Sequence, residues 1–181
     1  SAHGIRYAEG DRLAVDADHR ITSGNGVGLL KSEESMSARL GRSDIAPDAS
    51  TLFSQEGWGS DLDPIVASNL SRIAEQHGFG RVSVLLFIRD PMCHASSDWQ
   101  QWVKRAGSCQ GIEDFYREYV FPNHVARTLE TLAKSDGVEV RVRNYSRCKG
   151  RLLEETATWL DLPEDSLQRP AVTFDDAGQA G

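Results

Sequence analysis

The central part of the chain carries the clearest hydrophobic pattern. Residues 82–88 (Val-Ser-Val-Leu-Leu-Phe-Ile) are almost uniformly apolar, which predicts a strand covered on both faces, as in a parallel sheet flanked by helices. Residues 138–142 alternate apolar and charged side chains, and they predict a strand with one less-buried face. A shorter strand is predicted over residues 51–54, where Gly57 and Gly59 follow.

Apolar residues at helical spacing fill the intervals between these strands. Asp63 and Pro64 are typical of an N-cap and a first helical residue, and Gly78 is typical of the end of that helix. The other predicted helices start at Pro91, run over residues 113–134 with a break at Pro122, and run over residues 151–160. We expect three tryptophans on apolar stripes to lie in the core: Trp99, Trp102 and Trp159.

This order of strands and helices predicts an α/β fold with three layers, in which a mostly parallel sheet is flanked by helices. The length of 181 residues suits a single domain over residues 1–181, with residues 1–50 irregular and residues 171–181 frayed. Ligands of such sheets collect at the carboxyl ends of the strands. Two polar segments follow predicted strands: residues 89–91 (Arg-Asp-Pro) and residues 144–147 (Asn-Tyr-Ser-Arg).

The amino-acid composition limits the classes of molecule that this protein could bind. A formal net charge of −7 argues against a general nucleic-acid or anionic-membrane surface. No apolar run approaches the roughly 18 residues that a membrane span needs. The three cysteines are odd in number and lack metal-ligand spacing, and the histidines also lack it, so we expect no metal site and a reducing, cytoplasmic location. The oligomeric state stays open.

Arg89 is the first candidate for binding chemistry. It stands where the apolar strand leaves the core, beside the start of a helix whose free N–H groups favour anions. An arginine fork in that setting suits a phosphate or sulfate, and Ser97 could add a hydroxyl donor. The alternative is that Arg89 pairs with Asp90 or another carboxylate and that Ser97 faces solvent. The residue types alone favour this alternative.

A family resemblance changes that balance. Residues 86–91 (Leu-Phe-Ile-Arg-Asp-Pro), with a serine eight residues after the arginine, resemble the 3′-phosphate motif of the sulfotransferase family, which uses 3′-phosphoadenosine 5′-phosphosulfate (PAPS). Residues 51–56 resemble the family's second-strand segment, and residues 142–145 and 159–163 resemble its later strand and helix. The similarity covers roughly residues 51–165. It implies a P-loop NTPase-like fold, of the kind found in bacterial sulfotransferase-like proteins.

The resemblance implies a function and roles for single residues. Members of the sulfotransferase family transfer a sulfuryl group from PAPS to a hydroxyl or amine of a carbohydrate or small molecule. Arg89 and Ser97 would hold the 3′-phosphate, Tyr145 would stack near the adenine, and Glu56 would act as general base. His94 is the alternative base, because an imidazole suits neutral pH. Tyr145 is otherwise a core aromatic, and Glu56 an exposed loop residue.

One part of the family pattern is missing from these residues. Sulfotransferases begin with a strand and a loop rich in glycine and threonine, whose lysine binds the 5′-phosphosulfate, and no Lys-x-Gly-Thr-Thr-like segment is present. Residues 24–28 (Gly-Asn-Gly-Val-Gly) do not form a Walker A loop because Lys31 is misplaced. They suit a connector or a backbone cradle for an anion. The second hypothesis is therefore a catalytically inactive module that binds a nucleotide or a protein partner, and a P-loop kinase ranks below both.

Overall fold

The computed structural model describes residues 4–7, 26, 29–42, 49–55 and 64–168. These residues form four strands and seven helices. In chain order they are β1 (Ile5–Tyr7), α1 (Glu33–Leu40), β2 (Ser50–Leu52), α2 (Pro64–Gln76), β3 (Val82–Ile88), α3 (Pro91–Ala106), α4 (Ile112–Glu118), α5 (Phe121–Ala133), β4 (Val138–Asn144), α6 (Tyr145–Cys148) and α7 (Leu152–Trp159). Within the described ranges, each helix is too short or too polar to cross a membrane.

Strand pairing confirms the predicted α/β class with parallel strands. Strand β1 pairs with β2, and β3 pairs with β4, so the described residues hold two separate parallel pairs rather than one continuous sheet. The β3–β4 register runs without a break from Val82 beside Val138 to Ile88 beside Asn144. The prediction that β3 is covered on both faces was wrong. All seven residues of β3 are half-buried, because the edge of β3 that faces away from β4 borders a cavity.

Local signals set the helix boundaries. The Asp90 side chain caps α3, and the Asn144 side chain caps α6, in each case by accepting backbone N–H groups. Gly107 ends α3 in the left-handed conformation, with φ of 62°. The predicted helix over residues 113–134 is two helices, as expected. Its break precedes Pro122, which lies in the first turn of α5, where its missing N–H removes no intrahelical hydrogen bond.

The core lies between α1, α2 and α5 and one face of the β3–β4 sheet. Ile73, Val66 and Leu132 are its most completely buried large side chains. Alternate residues of the two strands pack on this cluster from the sheet: Val84, Leu86, Val138 and Val140. Burying a side chain of this size contributes about 1.5–3 kcal/mol, so these contacts hold the strands, and with them the strand ends, in a fixed place.

The tryptophans differ from their expected positions. The prediction that Trp102 lies in the core was wrong, because 58% of its surface is exposed. Trp99 is half-buried and donates its Nε1–H to the carbonyl of Gln110 at 3.0 Å. Trp159 is also half-buried. Trp102 is exposed because α3 packs on the short helix α4, which leaves the last turns of α3 open to solvent.

Candidate functional site

Two polar side chains meet where β3 and β4 end. The parallel register brings Ile88 beside Asn144, so the residues that follow, Arg89 and Tyr145, leave the sheet next to each other. The Cζ atom of Arg89 lies 5.2 Å from the centroid of the Tyr145 ring, which is a cation–π distance. The structure thus brings together the two segments that the sequence placed at strand ends.

Arg89 does not pair with its neighbour Asp90. The Asp90 carboxylate instead accepts the backbone N–H groups of Met92 and Cys93, each at 3.0 Å. In the part of the chain that the structure describes, no carboxylate forms an ion pair with Arg89, and its guanidinium is exposed. The fork of Arg89 is therefore available to an anion that comes from solution.

The cap also shapes the electrostatics of the helix start. Hydrogen bonding from the Cys93 backbone N–H, with a smaller contribution from Met92, lowers the pKa of Asp90 below its usual value. The charged carboxylate uses two of the N–H groups that a helix otherwise offers to an anion. The Arg89 side chain is therefore better placed than the helix terminus to hold an anion at this corner.

A cavity of about 840 Å³ opens beside these residues. Its size falls within the range of small-molecule sites. Arg89, His94 and Tyr145 form its polar end, and residues 51–55 form the wall opposite β3. Apolar side chains of α1, α2 and α5 cover much of the remainder. A ligand whose anionic group lies on Arg89 could therefore bury its less polar part in the same space.

His94 is held at the mouth of this cavity by three contacts. Its ring stacks on Phe121, with centroids 4.4 Å apart and planes 7° from parallel. Its Nδ1 forms a hydrogen bond with the Tyr119 hydroxyl and lies 3.3 Å from Oδ2 of Asp98. The Tyr119 hydroxyl donates to the same carboxylate oxygen at 2.7 Å. This network fixes the orientation of the imidazole.

The network also assigns the protons. Burial first, then the hydrogen bond and the negative charge of Asp98, raise the pKa of Tyr119 above its ordinary value, so the hydroxyl keeps its proton. With that proton directed to Asp98, the Tyr119 oxygen accepts from Nδ1–H of His94. Nδ1 is the ring nitrogen of His94 that this hydrogen bond uses, which leaves Nε2 as the nitrogen that could accept a proton from a substrate.

The remaining predicted site residues have different outcomes. Ser97 is half-buried on α3 and does not line the cavity; among the described hydrogen bonds, none uses its hydroxyl. The neighbouring Ser96 bonds the Met92 carbonyl at 2.9 Å and the Tyr116 hydroxyl at 2.5 Å. Glu56 lies outside the described residues. Its preceding neighbour, Gln55, lines the cavity.

Two further predictions from the sequence concern residues near the cavity, the glycine segment at residues 24–28 and the arginine close to Tyr145. Of the glycine segment at residues 24–28, the structure describes Gly26, which is buried and donates its N–H to the Ser54 carbonyl at 2.8 Å. This contact suits a connector tied to the end of β2. Arg143, two residues before Tyr145, bonds Glu155 at 2.8 Å, so its charge is compensated. Arg89 is the cation that faces Tyr145.

The partners of His94 were not predicted from the sequence. The spacing of His94 and Asp98, four residues apart on one helix, was a usable signal because such residues face each other. Tyr119 and Phe121 come from another part of the chain, and no local pattern pointed to them. Only the packing of α3 against Tyr119 and the first residue of α5 brings them to His94.

The chain was compared with protein-family models, with curated proteins and with solved structures. None of the three comparisons finds a match. The contacts of the site are therefore what indicates a function for this protein.

Proposed function

We propose that this protein is a cytoplasmic sulfotransferase-like protein that binds PAPS and transfers its sulfuryl group to a hydroxyl or amine of a carbohydrate or small molecule. The fold that accompanies this proposal is a three-layer, P-loop NTPase-like α/β domain. The proposal goes beyond the coarse α/β class, and it rests on the strand ends of β3 and β4.

The observation that carries it is the Arg89–Tyr145 contact at 5.2 Å. A guanidinium without a carboxylate partner suits a phosphate, and an aromatic ring beside it suits a nucleobase. An adenosine with a 3′-phosphate presents these two groups close together. The adjacent cavity of about 840 Å³ leaves room for the remainder of the ligand and for an acceptor.

Two residues are proposed as the general base. Glu56 follows Gln55, which lines the cavity, and the family resemblance assigns the role to it. His94 lines the cavity directly, and its hydrogen bond to Tyr119 uses Nδ1 rather than Nε2. The base takes the proton from the acceptor oxygen as that oxygen forms its bond to sulfur. The bond from sulfur to the bridging phosphate oxygen breaks, and 3′-phosphoadenosine 5′-phosphate leaves with the electron pair.

A second function is favoured by the charges around the cavity. Arg81 and Arg89 are the cationic side chains among its described lining residues, and no lysine is among them. Sulfuryl transfer develops negative charge that preorganised positive groups must stabilise. A site with this lining suits a module that binds the nucleotide without turnover, and Ser97 has no contact in the described structure that adds a donor.

Calorimetry with 3′-phosphoadenosine 5′-phosphate tests the site. We expect the wild type to bind and Arg89→Ala to bind at least about tenfold more weakly, because a hydrogen bond to a charged group is lost. Arg141→Ala is the matched control, since Arg141 bonds Glu139 at 2.9 Å and does not line the cavity. A wild type that does not bind, or an Arg89→Ala protein that binds equally well, would overturn the cofactor assignment.

Turnover of labelled PAPS then separates the enzyme from the module. Sugars and small amines serve as acceptors, and the release of 3′-phosphoadenosine 5′-phosphate is measured. Activity that Glu56→Gln abolishes and His94→Gln leaves unchanged assigns the base to Glu56, and the reverse assigns it to His94. Binding with no acceptor-dependent release identifies the module.

A further inference from the structure

A second pocket, of about 680 Å³, lies between the second half of α3, helix α4 and the start of α5. Its volume falls within the range of small-molecule sites. Among the described residues, Phe121 is the only one that lines both this pocket and the cavity beside Arg89. The second pocket is therefore a separate space, and the nucleotide site proposed above does not include it.

Aromatic rings form much of the wall of the second pocket. Trp102 of α3 and Phe115 of α4 line it, together with Tyr119 and Phe121. The ring centroids of Phe115 and Tyr119 lie 5.5 Å apart, with planes tilted by 34°. Those of Tyr119 and Phe121 lie 6.2 Å apart, with planes tilted by 33°. The face of an aromatic ring carries negative electrostatic potential, so several rings around one space attract a cation.

Two carboxylates line the same pocket, Asp98 of α3 and Glu118 of α4. Oδ2 of Asp98 accepts the Tyr119 hydroxyl at 2.7 Å and lies 3.3 Å from Nδ1 of His94. Oε2 of Glu118 accepts the side-chain amide of Gln110 at 3.2 Å. In the part of the chain that the structure describes, neither carboxylate pairs with a lysine or an arginine. The described lining also contains no lysine or arginine, so the pocket has a negative potential that favours a cation from solution.

Helical spacing places each carboxylate beside a ring. Asp98 and Trp102 are four residues apart on α3, and Phe115 and Glu118 are three residues apart on α4, so each pair shares a face of its helix. The pocket is open to solvent, because 58% of the surface of Trp102 and 53% of that of Val120 are exposed. The rings and the carboxylates are therefore accessible to a ligand from solution.

We propose that the second pocket binds an alkylated ammonium ion, in which methyl or methylene groups surround a positively charged nitrogen. Aromatic rings suit such an ion because its alkyl groups make apolar contact with the ring faces while its charge is attracted to them. The carboxylates exclude anions and favour a cation over a neutral molecule of the same shape. A hard metal ion fits less well, because it requires several oxygen ligands and no group of three or more metal-binding side chains converges among the described residues.

This ammonium site does not depend on the proposed nucleotide function. Arg89 and Tyr145 are not among the described residues that line the second pocket, and the carboxylates give the pocket a charge opposite to that of Arg89. Loss of nucleotide binding in Arg89→Ala and loss of ammonium binding are therefore separate results.

The test compares two molecules of the same shape and different charge. Choline carries a trimethylammonium group, and 3,3-dimethylbutan-1-ol carries a neutral tert-butyl group in its place. Each is titrated into the whole chain at constant ionic strength, and NMR follows the indole N–H of Trp102 and the backbone amides of residues 115–121. We expect choline to shift these signals and to bind at least about threefold more tightly than the alcohol, because the neutral molecule lacks the cation–π attraction.

Two variants locate the site, and each changes an exposed side chain. Trp102→Leu stays apolar and removes the ring, and we expect it to bind choline at least about threefold more weakly. Glu118→Gln keeps an oxygen that accepts the Gln110 amide and removes the charge, and we expect at least about twofold weaker binding. Glu113→Gln is the matched control, since Glu113 is exposed on the same helix and does not line the pocket. Because salt screens a more distant charge, this variant should bind within about 1.5-fold of the wild type.

Several results would overturn the proposal. Absence of any shift with choline is the simplest of them. Equal affinities of the wild type for choline and for the neutral alcohol would show an apolar pocket with no preference for charge. Equal shifts with magnesium chloride at the same ionic strength would show a general response to cations. Unchanged choline affinity in both Trp102→Leu and Glu118→Gln, or an equal loss in Glu113→Gln, would place the binding elsewhere.

Discussion

Arg89 lies over the ring of Tyr145, with its Cζ atom 5.2 Å from the ring centroid. Residues 56 positions apart in the sequence make this contact because the β3–β4 register places both at one end of the sheet. The core cluster packs against one face of the two strands, through Val84 and Leu86 of β3 and Val138 and Val140 of β4. The pair is therefore a consequence of the sheet rather than of a flexible loop.

The ring of Tyr145 should matter more for nucleotide binding than its hydroxyl. We expect Tyr145→Phe to bind 3′-phosphoadenosine 5′-phosphate within about twofold of the wild type, because the aromatic face remains. Tyr145→Ala should lose about 1–3 kcal/mol, the contribution of stacking on a base. Calorimetry on the two variants measures this difference. Equal losses in both would contradict a stacking role.

Asp90 should have opposite effects on stability and on anion binding. Asp90→Asn keeps a side chain that caps helices as well as aspartate does, and it removes a negative charge beside Arg89. We expect tighter binding of 3′-phosphoadenosine 5′-phosphate with a nearly unchanged Tm. Asp90→Ala should lower the Tm because the N–H groups of Met92 and Cys93 lose their acceptor. Asp165→Asn is the control, since its side chain has no described hydrogen bond.

The Asp90 cap of α3 predicts that its contribution to stability depends on pH. The pKa of Asp90 is lowered in the folded protein from an ordinary value of 3.8, so the stabilisation is present above that pH and is lost as the pH falls through the lower folded value. The difference in Tm between wild type and Asp90→Ala should therefore be constant near neutral pH and shrink at acid pH. Thermal unfolding followed by circular dichroism checks this. A difference that grows on acidification would contradict the cap.

Tyr119 should make the wild type sensitive to alkali. Its pKa is raised by burial and by Asp98, so its neutral hydroxyl stabilises the fold below the ordinary tyrosine pKa of about 10, and this stabilisation is lost as the pH rises further. We expect Tyr119→Phe to cost about 1 kcal/mol or less near neutral pH, through the lost hydrogen bond. The cost should begin to fall once the pH rises above about 10, the ordinary tyrosine pKa, and should be lost as the pH approaches the raised pKa of Tyr119 in the folded protein. Urea unfolding of wild type and Tyr119→Phe near neutral pH and at alkaline pH measures this difference in the free energy of unfolding.

Two glycines in the left-handed region offer a matched pair for packing. Gly107 has φ of 62°, and a Cβ there would meet no atom within 4 Å. Gly137, just before β4, has φ of 73°, and a Cβ there would lie 2.8 Å from Oγ of Ser71 on α2. We expect Gly107→Ala to cost about 1–2 kcal/mol from backbone strain alone, and Gly137→Ala to cost more.

A second substitution, at Ser71, should reduce the additional loss of stability that Gly137→Ala causes relative to Gly107→Ala. Ser71 Oγ is buried without a hydrogen-bond partner, so Ser71→Ala alone should cost little. In the double variant, Ser71→Ala with Gly137→Ala, the 2.8 Å clash with Oγ disappears, and the strain of the left-handed alanine remains together with a tight 3.3 Å contact to Cβ of residue 71. Urea unfolding of the four proteins gives the coupling. Additive effects would show that Gly137→Ala does not act through Ser71.

The sequence predicted those elements that carry strong local signals. Strand β3 was found at its observed bounds because an apolar run ends at a charged residue on each side, Arg81 and Arg89. Helix α3 was found because Asp90 and Pro91 are typical of a helix start. Strand β1 was not predicted, since Ile5–Tyr7 is too short to show a period. Its position depends on pairing with β2.

The site was only partly predictable, because only some of its residues lie beside strong local sequence signals. Arg89 and Tyr145 follow apolar strands, and the rule that parallel strands present ligand contacts at their carboxyl ends brought them together. The hydrogen bonds around His94 join α3 to Tyr119 across 25 residues of sequence, and nothing local encodes that distance. The exposure of Trp102 likewise depends on which helix covers α3, which its apolar spacing does not reveal.

A thermodynamic cycle tests the central claim, that Arg89 binds a 3′-phosphate, most directly. Calorimetry gives the affinities of wild type and Arg89→Ala for 3′-phosphoadenosine 5′-phosphate and for adenosine 5′-phosphate, which lacks the 3′ group. We predict that loss of the 3′-phosphate weakens binding to the wild type by about 1.5–3 kcal/mol and hardly affects binding to Arg89→Ala. Equal affinity of the wild type for the two nucleotides, or an equal loss in both proteins, would contradict the claim.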